Sequence, residues 1–303
     1  MSASTMGRQG GRRGRGWPAL MLAALVMPSW AVQPAGGVQA LDDSALSEVT
    51  GRDGLAFNLK GFSMSGPLAL TYTSPEDGNP SFSWSNLAIS RSDDDSATFS
   101  DPYKLNIVAR DGLSDVISLS NPLNASGLLK WQFAYDFSVL ANGVAFDVGS
   151  VIFKDYVQYG GGMDITTPAD PNVQGIAFGM STRVDIGAIM LRPRGRGDTS
   201  LIDDSSVAEQ LTFRGIHIGT PDGKPWQIAD VTWQPGIFNA VTDADGKSYL
   251  HYGIDWSSKP EGAPVGSLTI DNITFKSDVT GTLNLGSSHI GGIQIQYLDI
   301  KFR

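Results

Sequence analysis

The segment Leu211-Thr-Phe-Arg-Gly-Ile-His-Ile218 carries the pattern from which the fold follows. Apolar residues occupy alternate positions in its first half and again in its second half, but the second half is shifted by one residue. Side chains of a β-strand point to opposite faces in turn, so this shift would turn the second apolar pair toward solvent. A β-bulge at Gly215 absorbs the extra residue and keeps both pairs on one face. A corner at which the chain passes between two sheets explains the pattern equally well.

The same pattern recurs along the chain, which indicates strands built on one plan. Its copies begin at Phe57, Phe82, Val184, Leu211, Trp226, Leu268 and Ile293, with a weaker copy from Val151. We call the position of the one-residue shift the slip. At the slip most copies have a residue type that tolerates left-handed backbone, namely Gly61, Asn86, Asp155, Gly215, Asp230 and Asn272. Ala188 and Tyr297 are exceptions. The unequal gaps between copies disfavour a regular solenoid. We therefore predict an all-β fold: an elongated, curved antiparallel β-sandwich or an irregular β-roll with bulged, repeated strands.

Composition supports strands and turns. The chain has 303 residues, of which 41% are hydrophobic, and 27 of its 31 acidic residues are aspartates, which suit turns better than helices. Four Asp-Gly pairs predict hairpin turns: Asp77-Gly78, Asp111-Gly112, Asp222-Gly223 and Asp245-Gly246. The strict alternation from Trp131 to Val139 predicts a strand that lines the core. A short helix-compatible patch lies near Asp203 to Gln210, and 74–80, 192–206 and 257–264 are predicted loops.

The N-terminus has the features of an export signal. The first 31 residues contain four arginines and no acid, followed by an apolar run from Leu20 to Met27 that is too short to span a bilayer. Small residues at Ser29 and Ala31 predict cleavage after Ala31, with Ala40 as the alternative. We thus predict a signal peptide over 1–31, an N-terminal segment with one short helix over 32–54, and a single β-rich domain over 55–303. The exported chain is expected at the cell surface or outside the cell, with the periplasm as the alternative.

Residues 40–54 read Ala-Leu-Asp-Asp-Ser-Ala-Leu-Ser-Glu-Val-Thr-Gly-Arg-Asp-Gly, a capped helical turn followed by a turn into the first strand. This stretch resembles the mature N-terminus of an uncharacterised, FilA-like family of exported Gram-negative pilus-system proteins. That family begins near Leu-Asp-Asp-x-x-Leu-x-x-Val-Thr-Gly-Gln-Asp-Gly and continues into a β-rich body. Arg52 stands where the family usually has glutamine. The resemblance covers about fifteen residues, and it implies a cell-surface or pilus-associated role without catalytic residues.

Charge and chemistry exclude several function classes. Beyond residue 31 the net charge is −13, which repels nucleic acid and anionic lipid. The absence of cysteine excludes disulfides, thiolate metal sites and a lipidated cysteine. Asp93 to Asp95 and Asp243 to Asp245 are weak calcium candidates, and solvated turns explain them better. The three histidines, at 217, 251 and 289, border predicted strands, and no nucleophile, phosphate-loop or dinucleotide motif occurs. We assign no catalytic, cofactor-binding or metal-binding residues.

Three hypotheses about function remain. The first is an exported, non-enzymatic surface or pilus-associated protein of structural or adhesion type, which associates with itself or with other surface components through exposed strand edges. The second is an outer-membrane β-barrel, for which Ile293 to Phe302 resembles a last strand, although the one-residue slips break the alternation that lipid-facing strands need. The third is a periplasmic module that binds or hydrolyses glycans or lipids. None of them involves nucleic acid.

Overall fold

The computed structural model describes residues 54–59, 61–75, 78–93, 101–193, 209–257 and 261–302. These lie in one compact unit and form strands joined by turns and loops, with no helix among them. The strands are β1 (Leu55–Phe57), β2 (Ser63–Ser65), β3 (Leu70–Thr73), β4 (Ser81–Arg91), β5 (Tyr103–Val108), β6 (Val116–Ser120), β7 (Trp131–Ala141), β8 (Val144–Gln158), β9 (Gly162–Thr166), β10 (Ile176–Thr182), β11 (Val184–Arg192), β12 (Gln210–Gly219), β13 (Trp226–Ala229), β14 (Gly236–Thr242), β15 (Ser248–Asp255), β16 (Gly266–Ser277), β17 (Gly281–Ile293) and β18 (Tyr297–Phe302). The prediction of an all-β, antiparallel fold is confirmed.

Within the described residues the strands form two antiparallel sheets of nine strands each. Sheet one has the order β1-β5-β6-β9-β10-β14-β15-β18, with β13 beside β10. Sheet two has the order β2-β4-β7-β8-β11-β12-β16-β17, with β3 beside β4. Where the chain passes from one sheet to the other, the strands before and after the crossing occupy the same position in the strand orders of their sheets. Examples are β8 and β9, and β10 and β11. The two sheets are therefore the halves of one sheet folded along a line, which we call the crease.

Backbone hydrogen bonds continue through the corners that form the crease. In the corner between β8 and β9, the amide of Tyr159 donates to the carbonyl of Arg183, and that of Gly160 donates to the carbonyl of Pro122. The amide of Asn121 donates to the carbonyl of Gly161 at 3.1 Å. Neighbouring corners thus satisfy one another's polar groups, which would otherwise be costly to leave unpaired where the chain is buried.

The bulges of sheet two line up. The register places Asp155 of β8, Gly187 of β11, Gly215 of β12 and Asp271 of β16 opposite one another. All four strands carry the one-residue slip, so pairing among them stays regular, and register shifts occur where β8 meets β7 and where β16 meets β17. Gly215 has a φ of 60° and Asp155 one of 53°, the left-handed conformation expected at the slip. The predicted bulge is also present in β4, where Asn86 has a φ of 53°.

Other copies of the pattern turned out differently. The copies at Phe57 and Ile293 are corners, because β1 and β2, and β17 and β18, lie in different sheets. The prediction of a bent strand beginning at Trp226 was wrong. Strand β13 ends at Ala229, and a tight turn closed by the Asp230–Gln234 bridge follows it. Asp222-Gly223 lies in a crossing between the sheets instead of in a hairpin. Arg192, expected in a loop, ends β11, and Gln210, expected in a helix-compatible patch, begins β12. The predicted signal peptide, the short N-terminal helix, and residues 203–208 of that patch lie outside the described residues.

Gly161, in the corner between β8 and β9, has a φ of 71°, a conformation that favours glycine. A Cβ atom there would lie 2.5 Å from the backbone oxygen of Ser181. An alanine at this position would therefore have to adopt the left-handed conformation, and the backbone would have to shift. We expect Gly161→Ala to lower the free energy of unfolding by about 3 kcal/mol in urea titrations. The control is Gly246→Ala, with a φ of 75° and no atom of the described chain within 4 Å; it should lose only about 1 kcal/mol. Equal losses would show that the corners tolerate movement.

Candidate functional site

One face of sheet two is apolar from edge to edge. Residues directly opposite each other on neighbouring strands share a face. Apolar residues from both sides of the bulges pack into one cluster, so the slip keeps them on the same face. Three rows cross the sheet on this face: Tyr135–Val151–Leu191–Leu211–Phe275–Leu283, Phe133–Phe153–Ile189–Phe213–Ile273, and Trp131–Tyr156–Ile186–Ile216–Ile270. Further rows on β3, β4, β7 and β8 are Tyr72–Phe82–Val139–Phe146 and Leu70–Trp84–Phe137.

One face of sheet one is also apolar. Beside the crease the indole Nε1 of Trp131 donates to the hydroxyl of Tyr103 at 3.2 Å, which joins β7 of sheet two to β5 of sheet one. Burial raises the pKa of the Tyr103 phenol, as expected in an apolar contact. Two rows share the face of Tyr103: Leu55–Leu105–Leu119–Met163–Met180 and Ile107–Ile117–Ile165–Phe178. We call these two apolar surfaces the inner faces.

Burial falls with distance from the crease. Trp131, Ile186 and Ile216, next to the crease, are buried. Farther out, Trp84, Phe275 and Leu283 of sheet two and Ile107 and Ile117 of sheet one are exposed by 40% to 56%. The alternation from Trp131 to Val139 was predicted to line the core. It lies on the inner face, and of its apolar residues only Trp131, at the crease end, is buried. The outer part of each inner face is an apolar surface open to a ligand or a partner.

The second unusual surface is the free edge of sheet two. Strand β17 lies at this edge, is 13 residues long and contains no lysine, arginine, aspartate, glutamate or proline. Leu283, Leu285 and Ile290 on it are 56%, 57% and 49% exposed. The other edges are shorter: β1 and β2 have three residues, β3 has four, and the six-residue β18 carries Asp299 and Lys301. Charges and short length protect a strand edge from pairing with another chain, so β17 is the least protected.

The opposite, outer face of sheet two carries a polar groove of about 370 Å³ along the aligned bulges. His217 lies there with its Nδ1 2.8 Å from Asp185 Oδ1 and its Nε2 3.7 Å from Asp271 Oδ2. Tyr159 lines the same groove; burial and the neighbouring Asp185 raise the pKa of its phenol, and the Arg183 guanidinium lies 4.4 Å from its ring centre. Both ring nitrogens of His217 thus lie within 4 Å of carboxylate oxygens of neighbouring strands.

A similar groove, of about 340 Å³, lies on the outer face of sheet one. His251 has its Nδ1 2.8 Å from Asn239 Oδ1 and its Nε2 3.3 Å from Asp299 Oδ1. Asp299 also accepts a hydrogen bond from the Tyr297 hydroxyl at 3.1 Å. His289, the third histidine, is exposed on β17. Each of the first two histidines thus has its ring nitrogens near side-chain oxygens of neighbouring strands.

In the two calcium candidates, Asp93 and Asp243 make contacts with other protein groups. Asp93 forms a two-point ion pair with the buried Arg91, whose Nε donates to Asp93 Oδ1 at 2.6 Å. Asp94 and Asp95 lie outside the described residues. Asp243 accepts from the amides of Asp245 and Lys247 in the β14–β15 turn and from the Tyr249 hydroxyl. Among the described residues, no three acidic or histidine side chains are grouped so as to hold a metal ion.

Sequence reasoning missed two features of these surfaces. The hairpin between β7 and β8 turns at Asn142 and Gly143, both with positive φ, and the Asn-Gly pair is a sequence signal for such a turn. Buried Arg192 donates through Nε to Gln210 Oε1 at 2.7 Å, and Gln210 donates to the Thr212 hydroxyl at 2.7 Å. That network has no sequence signal, because its members meet only through the pairing of β11 and β12.

The ion pair of Arg91 and Asp93 should support stability. Their side chains are 3% and 15% exposed, so the charges interact with little screening by solvent. We expect Asp93→Asn to lower the free energy of unfolding by about 3 kcal/mol in denaturant titrations. The wild-type midpoint should be the same with calcium as with a chelator. A calcium-dependent midpoint that Asp93→Asn abolishes would instead place a metal site here.

The hydrogen bond from Tyr249 holds the pKa of the Asp243 carboxyl below its usual value, with the Lys247 amide as the next contribution. A depressed folded-state pKa means that this contact stabilises the fold above the ordinary carboxyl pKa and is lost as the pH falls through the folded value. We expect Tyr249→Phe to raise the Asp243 pKa in an NMR titration of the side-chain carboxyl. Tyr252→Phe is the control and should leave it in place. An unchanged Asp243 pKa in Tyr249→Phe would contradict this assignment.

Comparisons with known proteins complete the description. No family model, curated protein or solved structure matches the chain. Among the described residues, no helix has the length and apolar character needed to cross a membrane. The function must therefore be inferred from the inner faces, the β17 edge and the sequence of the chain itself.

Proposed function

We propose that the protein is an exported, non-enzymatic surface component of pilus-associated or adhesion type, which assembles with itself or with other surface proteins by strand addition. The observation that carries this proposal is β17: a long sheet edge without charged side chains, with exposed leucine and isoleucine. An open edge offers unpaired amides and carbonyls to an incoming strand, and apolar side chains beside them add affinity.

Further features support the same role. The N-terminus has an export-signal pattern, and the following fifteen residues resemble the FilA-like pilus-system family. Both histidines in the outer-face grooves have their ring nitrogens near side-chain oxygens of neighbouring strands, which suits a structural protein. The acidic chain, with a net charge of −9, favours solubility of the unassembled form during export.

The test is the location and assembly state of the protein in its native host. We expect the mature chain in sheared, high-molecular-weight surface material, starting near Val32 or Leu41 by N-terminal sequencing. Leu285→Lys places a charge on the β17 edge and should shift the protein from that fraction to a monomeric form, because lysine at an edge opposes strand addition.

The matched control is Val279→Lys, which adds the same charge at a position 86% exposed in the turn before β17. It should leave assembly unchanged. Recovery of the wild-type chain only as a soluble monomer after osmotic shock would refute the proposal. Equal loss of assembly in both variants would show that added charge, and not the β17 edge, is responsible.

A further inference from the structure

The polar groove on the outer face of sheet one, which we call the sheet-one groove, is lined by residues of β14, β15 and β18 and of the β14–β15 turn. Its volume of about 340 Å³ lies at the lower end of the range of small-molecule sites, roughly 300–1,000 Å³. The strand register places His251 opposite Lys301, and Gly253 opposite Asp299. A Cβ atom at Gly253 would lie 2.8 Å from Nε2 of His251, so the missing side chain makes room for the imidazole ring.

Two tyrosines line this groove, and a hydrogen bond holds each of them in place. The Tyr249 hydroxyl donates to Asp243 Oδ2 at 2.7 Å, and the Tyr297 hydroxyl donates to Asp299 Oδ2 at 3.1 Å. Tyr297 nevertheless remains 64% exposed. A ring that is fixed before a ligand arrives loses little conformational entropy on binding. The C–H groups on the face of a sugar ring pack favourably on the electron-rich face of such an aromatic ring.

The charged side chains of the groove can hold hydroxyl groups beside that ring. Asp299 Oδ1 lies 3.3 Å from His251 Nε2, and Asp299 Oδ2 lies 3.3 Å from Nζ of Lys301, whose side chain is 50% exposed. An ammonium has more than one N–H donor and a carboxylate has several acceptor positions, so both groups keep hydrogen-bonding capacity for a ligand. A hydroxyl group can donate to the carboxylate and accept from the ammonium at the same time. A sugar presents several such hydroxyls side by side.

The lining disfavours the other classes of small ligand. Of the residues that the structure places around the groove, only Val241 lacks a polar side-chain atom, so the surface does not match a hydrocarbon. Asp243 and Asp299 outnumber Lys301, and no arginine is among these residues to bind a phosphate or carboxylate at two points. A cationic ligand would be repelled by the Lys301 ammonium, which already lies beside Asp299. A neutral ligand rich in hydroxyl groups fits the groove best.

From these observations we infer that the sheet-one groove binds a neutral saccharide, with a sugar ring stacked on Tyr297 and its hydroxyls hydrogen-bonded to Asp299 and Lys301. This function goes beyond assembly and uses another part of the fold, because the groove lies on sheet one whereas β17 is an edge of sheet two. Binding of the sugar needs neither export nor assembly, so the inference does not rest on the proposed function.

The experiment measures binding of sugar probes to the full mature chain on a biosensor surface. The probes are glucose, galactose, mannose, N-acetylglucosamine and N-acetylgalactosamine, each attached to a polyacrylamide carrier so that avidity strengthens weak single contacts. The bare carrier and a carrier with N-acetylneuraminic acid, an anionic sugar, are the comparisons. We expect saturable binding of at least one neutral probe, displaced by the same sugar in free form. The bare carrier and the anionic probe should not bind.

Tyr297→Ala removes the stacking surface and should weaken binding by about tenfold or more. Tyr297→Phe keeps the ring and loses only the hydroxyl that contacts Asp299, so it should lose less than the alanine variant. Lys301→Gln removes the ammonium and should weaken binding by about threefold or more. The matched control is Tyr72→Ala, which removes a tyrosine 43% exposed on β3 of sheet two and should bind within about twofold of wild type. Unfolding midpoints verify that each variant folds.

Three outcomes would overturn the inference. One is a folded wild-type chain that binds none of the neutral probes. Another is binding of a neutral sugar that Tyr297→Ala and Lys301→Gln both leave unchanged, which would place the sugar elsewhere. The third is binding of the anionic probe alone. Two variants separate this inference from the proposed function: Leu285→Lys should abolish surface assembly and keep sugar binding, whereas Tyr297→Ala should do the reverse.

Discussion

The hydrogen-bonded ladder that continues through the crease is the constraint on which the rest of the structure depends. A folded sheet leaves polar backbone groups at every corner, and here the corners bond to one another, as Asn121 does to Gly161 and Tyr159 to Arg183. This pairing requires the corners to stand at matching positions along the crease. The identical strand order of the two sheets follows from that requirement.

The aligned bulges solve the second problem, which is to keep one face apolar across so many strands. If only one strand carried an extra residue, pairing with both neighbours would be disturbed. Because β8, β11, β12 and β16 all carry the slip, Asp155, Gly187, Gly215 and Asp271 meet in one row and pairing remains regular. The apolar residues on both sides of the slip then pack into a single cluster beside the crease.

Two kinds of surface result. The outer faces carry polar grooves in which His217 and His251 lie near oxygens on adjacent strands. The outer face of sheet two also carries a buried apolar cluster of Ala134, Ile152 and Met190. The inner faces are apolar and become less buried away from the crease, from Trp131 to Trp84. The edge strand β17 is a separate feature, so assembly through the edge does not depend on the inner faces.

The sequence by itself determined the fold class, the positions of most strands and the bulges at Asn86, Asp155 and Gly215, because alternation and left-handed residue types are local properties. It also predicts an export signal, which lies outside the described residues. Only the tertiary structure decided which copies of the pattern are bulges and which are corners, since Phe57 and Phe82 begin the same local pattern. It also decided that Asp93 meets Arg91 and that the aromatic residues of β7 share a face with those of β4 and β8. The physical reason is that alternation specifies which side chains share a face, whereas burial depends on which other strands cover that face.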